Sequence, residues 1–124
     1  MPIFLTRSRP FVADHFHDLP GFQEDRHGHN WDMSATIQAT EESADVLLDG
    51  IQLDGALDAW IRAVDYTLLN NQARLEHRNP TAEALAQWAF ESLESAGLRP
   101  DSVKVREKAN YWALCRRDAT GKGR

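Results

Sequence analysis

A chain of 124 residues, 42% of them apolar and 27% charged, has the size and mixture of one soluble globular domain and no room for a second core. Its net charge of -5 and the lack of a basic block in its body set nucleic acid aside as a partner, and no apolar run nears the roughly 20 residues of a membrane span. The start of the chain lacks a signal-peptide apolar run and Cys115 is the single cysteine, so no internal disulfide forms and a cytoplasmic protein is expected.

Along the chain, Ile3 to Thr6 and Phe11 to Phe16 read as extended, with Pro10 interrupting them. Met33, Ala35, Ile37 and Ala39 then alternate with Ser34, Thr36, Gln38 and Thr40, the period-two pattern of a strand with one wet face. Leu53, Leu57, Trp60, Ile61 and Val64 recur at helical spacing and predict a helix from about Leu53 to Val64. A second helix, Thr81 to Ala96, is carried by Leu85, Trp88, Ala89 and Leu93. Asn79-Pro80-Thr81 starts it, Glu83 lies in its first turn, and Gly97 stops it. Val103 and Val105 alternate with Lys104 and Arg106, Ala109-Asn110 offers a turn, and a last apolar strand runs from Tyr111 to Arg116. The one basic cluster, Arg116, Arg117, Lys122 and Arg124, reaches into residues 118–124, which read as a disordered tail behind a single domain at 1–117. This order predicts an α+β domain, an antiparallel four-stranded sheet with two helices on one face.

Four histidines crowd positions 15 to 29: His15, His17, His27 and His29. In an extended segment residues two apart share a side, so His27 and His29 continue the parity of Trp31, Met33, Ala35 and Ile37, the apolar face. His15 shares parity with Phe11 and Ala13. Inward imidazoles are costly unless bonded, and three of them with an open fourth position are what a catalytic zinc ion requires. Surface or hydrogen-bonded histidines would give the same pattern, and the residues alone leave both readings open. Glu107 extends the Val103 and Val105 parity, which turns its carboxylate toward the apolar side. It is either paired with Arg106, Lys108 or a helix residue, or it anchors a ligand.

These residues resemble the 6-pyruvoyltetrahydropterin synthase / 6-carboxytetrahydropterin synthase family. Phe11-Val12-Ala13-Asp14-His15 is similar to its first zinc motif and His27-Gly28-His29-Asn30 to its second. Leu47-Leu48-Asp49-Gly50 resembles the approach to its first helix. Asp65 and Leu69-Asn70 stand where the family has an Asp-His pair ahead of Leu-Asn. Pro80-Thr81-Ala82-Glu83 resembles its second helix start, which makes Thr81 a candidate substrate contact beside Glu107. Val103 to Glu107 resembles the strand that ends in a pterin-binding glutamate. The matches run in order over about residues 11 to 115. The resemblance implies the tunnelling fold (T-fold), Zn2+ on His15, His27 and His29, a pterin substrate and a homohexamer built from two trimers, with active sites at subunit boundaries.

Two members of the usual machinery are missing. Gln23 stands in place of the cysteine before the His-x-His pair, and Asp65 is followed by Tyr66 rather than histidine. Gly21-Phe22-Gln23-Glu24-Asp25-Arg26-His27 resembles instead the type III variant, in which a glutamate replaces the cysteine. That likeness implies cleavage of the side chain of dihydroneopterin triphosphate to 6-hydroxymethyl-dihydropterin, feeding folate synthesis. In that reading Glu24 is the base, Asp65 relays or orients, and Tyr66 donates a proton in place of the histidine or simply fills space. The plainer reading of Glu24 is a solvated loop acid between polar neighbours. Two rivals keep the scaffold: a homologue recruited to another pterin or deazapurine pathway, signalled by the missing histidine and by Trp31 where tyrosine is common, or a zinc protein that holds a pterin without turning it over.

Overall fold

The computed structural model describes residues 2–39 and 43–118. The element order is β1 Phe4–His15, β2 Asp18–Leu19, β3 Phe22–Gln23, β4 His27–Gln38, α1 Ser43–Val64, β5 Thr67–Leu68, α2 Ala82–Ser95, β6 Pro100–Lys108 and β7 Tyr111–Arg116, with two short 3-10 turns, Leu69–Asn71 and Ala73–Leu75, before α2. The main sheet has the order β5-β1-β4-β6-β7. Its four long strands are antiparallel neighbours, as the alternation predicts, and the two-residue β5 adds a parallel edge against Ala13 and Asp14.

One face of the sheet carries the core. Phe11, Ala13, Trp31, Met33, Ala35, Ile37, Val103 and Val105 point to it, and α1 and α2 lie across it with Leu53, Leu57, Trp60, Val64, Leu85, Ala89, Phe90 and Leu93. Removing each large side chain of this kind from water is worth about 1.5–3 kcal/mol, so the period-two pattern of β4 fixes which face meets the helices. Arg9 of β1 ties α1 to the same face, donating from Nε to Asp58 at 2.9 Å and from Nη2 to Asp54 at 3.0 Å.

Two expectations are corrected. β1 is one unbroken strand through Pro10. Val12 turns both its N–H and its carbonyl away from β4, toward Asp65 and Tyr66, and Pro10 has the same parity. Its missing N–H therefore lies on the open edge, where no ladder bond is lost. The first helix starts at Ser43, ten residues before Leu53. Leu47, Leu48 and Ile51 of that added stretch are 68%, 54% and 60% exposed, so these three do not join the core stripe by which the helix is recognised.

The second helix has the predicted ends. The Thr81 hydroxyl accepts the Ala84 N–H at 3.1 Å, and Gly97, at φ 88°, lets the Leu98 N–H return to the Leu93 carbonyl at 3.1 Å. Thr40 of the predicted fourth-strand alternation, and the expected tail from residue 119 on, lie outside the described residues.

Candidate metal centre

The end of β1 and the start of β4 build this site by register. His15 pairs directly with His27, and Ala13 with His29, so three imidazoles of one parity emerge side by side on the core face. Ring centroids are 4.7 Å apart for His15 and His27, 5.1 Å for His15 and His29, and 4.9 Å for His27 and His29. One ligating nitrogen of each lies within 4.8 Å of the others. Trp31 floors the group, its ring 5.0 Å from His15 and 5.5 Å from His29, and its Nε1–H donates to the Ala13 carbonyl. Gly28, between the two β4 histidines, leaves its outer side to Asp14. A Cβ there would meet the Asp14 carboxylate at 2.6 Å, and that carboxylate accepts from Arg26 Nε at 2.8 Å.

The tautomers are fixed from outside. His15 Nδ1–H donates to the Pro80 carbonyl at 2.8 Å, and His27 Nδ1–H donates to the Asp25 carbonyl at 2.9 Å. A carbonyl only accepts, so Nε2 of each ring keeps its lone pair. Nε2 of His15 and of His29 is buried with no hydrogen-bond partner. Orphaned buried ring nitrogens of this kind are costly, and a cation held between the rings would satisfy them. Burial pushes both His15 and His29 below the ordinary histidine range, against the pull of Glu107, which favours the neutral, ligating form.

Two carboxylates flank the imidazoles. Glu107 lies 3.7 Å from His15 Nε2 and 3.8 Å from His29 Nε2, with 12% of its side chain exposed. It follows Arg106, which pairs with Asp32 of β4, on the core-facing side of Val103 and Val105, and it is the extra residue of a bulge against β7, where Arg106 pairs with Trp112 and Lys108 with Tyr111. Glu24 is bound by His17, whose backbone N–H donates to Oε1 at 2.9 Å and whose Nδ1 is 2.7 Å from the same oxygen. Burial raises the Glu24 carboxyl, but the His17 N–H and the charges of His17, His27 and His15 outweigh it, and the group ends below the usual carboxylate range. It is not a freely solvated loop acid.

The remaining candidates stand apart within one chain. Asp65 Oδ1 accepts the Val12 N–H at 2.9 Å on the open edge of β1. Tyr66 follows with a left-handed φ of 58° and a side chain 82% exposed. Thr81 spends its hydroxyl on the α2 cap, and its neighbour Pro80 is the residue that holds His15. Sequence reasoning counted His17 among the crowded histidines without giving it a role, and missed its bond to Glu24. The signal available was its parity with His15 together with Pro20-Gly21, the turn that folds the intervening segment back.

A family model described as 6-pyruvoyl tetrahydropterin synthase matches residues 4–118. A protein of Archaeoglobus fulgidus with the provisional name 6-carboxy-5,6,7,8-tetrahydropterin synthase is 29% identical over 103 residues, 82% of this chain and 86% of its own. Among solved structures, the Caenorhabditis elegans 6-pyruvoyl tetrahydropterin synthase superposes with a TM-score of 0.78 at 17% identity, covering 94% of this chain and 96% of that one. The Plasmodium vivax 6-pyruvoyltetrahydropterin synthase, in a form with a catalytic residue, a glutamate, replaced by cysteine, gives 0.71 at 13% identity, covering 92% and 96%.

Proposed function

The chain belongs to the 6-pyruvoyl tetrahydropterin synthase family of pterin lyases, and from that premise we propose that it is a zinc-dependent enzyme cleaving the side chain of 7,8-dihydroneopterin triphosphate or a close relative to a 6-hydroxymethyl-dihydropterin. The observation that carries the reading is the convergence of His15, His27 and His29, with two buried Nε2 atoms unpartnered and Glu24 fixed beside them. Three imidazoles suit zinc, which would supply a Lewis acid for the side-chain hydroxyls of the substrate.

The other roles belong to the chain. Glu107 accepts the ring N–H and amino group of the pterin, a bidentate arrangement a carboxylate suits. Glu24 removes the proton of the C2′ hydroxyl. The C1′–C2′ bond then breaks, C2′ leaves as an aldehyde, and the electron pair is taken up by the pterin ring until C1′ is protonated. Asp65, half-buried at the sheet edge, and the exposed Tyr66 serve that protonation from a neighbouring subunit, and Thr81 borders the substrate. The edges of β7 and of β1 beyond its β5 pairing have no strand partner among the described residues, which supports joining of sheets into a homohexamer of two trimers. No described helix is long and apolar enough to cross a membrane, and the same reading places the protein in the cytoplasm with a role in folate supply. The P. vivax enzyme, whose catalytic residue includes a glutamate by the description of its variant, supports the choice of Glu24.

Incubating the zinc-loaded protein with dihydroneopterin triphosphate and identifying pterins by chromatography and mass tests this. 6-Hydroxymethyl-dihydropterin is expected, and Glu24→Ala should lower its formation about 10²–10⁴-fold with zinc retained. A 6-carboxy product would favour the activity in the name of the A. fulgidus relative. Unchanged substrate with zinc bound overturns the proposal in favour of a recruited homologue or a non-catalytic pterin binder.

A further inference from the structure

His17 is the one histidine of the crowded segment that stands outside the metal-holding trio. Its contacts are nonetheless specific. Its ring packs edge-on against His15, with centroids 5.0 Å apart, and its side chain is 23% exposed. Its backbone and ring both reach a single atom, Glu24 Oε1, at 2.9 Å and 2.7 Å. In return the Glu24 N–H donates to the His17 carbonyl at 3.2 Å. Between the two residues the chain makes a small hairpin, with Asp18 opposite Gln23 and Leu19 opposite Phe22. The pair therefore closes the loop that carries Glu24 to the metal centre.

We propose that His17 is the positioning residue of Glu24, holding Oε1 with two N–H donors so that Oε2 is the oxygen presented to the substrate. The inference rests on the function proposed above for its chemical meaning. Two donors on one oxygen fix both the place and the plane of a carboxylate, where one leaves it free to swing. An ionised carboxylate accepts without restriction, so Nδ1 is the protonated nitrogen of His17 and the donor. This pairing also supplies, within one chain, an acid-histidine couple in a protein whose residue after Asp65 is Tyr66. It makes a specific statement about the order of action: His17 acts through Glu24, and although its Nε2 is buried and unpartnered like those of His15 and His29, it lies outside the trio whose nitrogens converge.

A double-mutant cycle decides it. Full-length, zinc-loaded His17→Ala, His17→Gln, Glu24→Ala and the His17→Ala/Glu24→Ala double variant are compared in zinc content, in steady-state turnover of dihydroneopterin triphosphate, and in the ¹H–¹⁵N NMR signal of the His17 ring. His17→Ala keeps the backbone donor and loses Nδ1–H. It should lower kcat about 10- to 100-fold, the scale of an ångström-sized misplacement, with KM within about twofold and full zinc. His17→Gln, which restores a side-chain N–H, should recover most of the loss. In the Glu24→Ala background the His17 change should cost nothing more. In the parent protein the Nδ1–H signal should be protected from exchange, and Glu24→Ala should abolish that protection.

Multiplying losses in the double variant, a fall in zinc content, or no exchange protection of Nδ1–H each overturns the proposal. If the parent protein turns over no pterin, the functional reading falls. The positioning claim is then judged by the ring signal alone, which stands or fails without turnover.

Discussion

The histidine end of the β1–β4 ladder and the Asp65–Tyr66 corner are only a few residues apart along β1, yet they are built in opposite ways. At the first, ring orientation is settled within the chain: His15 is fully buried, its Nδ1 held by Pro80, and His27 is held by Asp25, while Nε2 of His15 and of His29 stays buried without a partner. At the second, Asp65 is used to cap an open strand edge, and Tyr66 projects outward from a backbone conformation that residues with a Cβ avoid. One end is oriented within a single chain. The other holds a largely exposed side chain at a backbone cost, which fits the role proposed for Tyr66 across a subunit boundary.

The largest effect expected from that contrast comes from breaking the histidine end. His15→Ala should lose metal stoichiometrically and activity by several orders of magnitude. It should also lower the stability of even the metal-free protein by about 2–4 kcal/mol, since a buried ring disappears beside Trp31 and the Pro80 carbonyl loses its donor. Metal analysis and denaturant unfolding read the two losses separately. A His15→Ala protein that still holds a full complement of zinc would break the assignment of the centre.

A graded effect follows from acid. His15 and His29 are held below the ordinary histidine range by burial, so in the metal-free protein the unfolded chain binds their protons first as pH falls. Their contribution to stability is complete above the unfolded value of about 6.5 and is lost as pH drops below it toward their folded values. Thermal melts of chelated protein across that window should show a falling midpoint, steeper in the parent than in a His29→Gln variant.

These contrasts bear on what could be read before the fold was known. The trio at positions 15, 27 and 29 was legible because strand parity is a local rule, and two strands that share a core face bring equal parities together. The ends of α2 were legible for the same reason: Thr81 and Gly97 act on the backbone beside them. The parity of Glu107 was readable, but not its nearness to His15 and His29, because that depends on the register of β6 against β4, which sets Arg106 opposite Asp32. The start of α1 was hidden by Leu47, Leu48 and Ile51, apolar residues that face outward. The corner at Asp65 was hidden more deeply. Its carboxylate answers an N–H on Val12, 53 residues earlier, and no periodicity records a bond of that length.

The smallest expected effect is the sharpest test of the corner itself. Tyr66 adopts φ 58° and leaves 82% of its side chain exposed, so within one chain the residue contributes strain and little burial. Left-handed backbone costs a residue with a Cβ about 1–2 kcal/mol, and glycine is freed of that cost while losing some of the gain to its looser unfolded state. Tyr66→Gly should therefore raise the stability of the isolated subunit by about 0.5–1 kcal/mol with zinc content unchanged. In the proposed hexamer the same change should remove the contact with a second copy that the proposed role of Tyr66 requires. Turnover should then fall while the subunit fold grows stronger. A variant that is more stable and equally active would leave the tyrosine no part in the reaction, and the histidine end, with Glu24 and Glu107, would carry the chemistry alone.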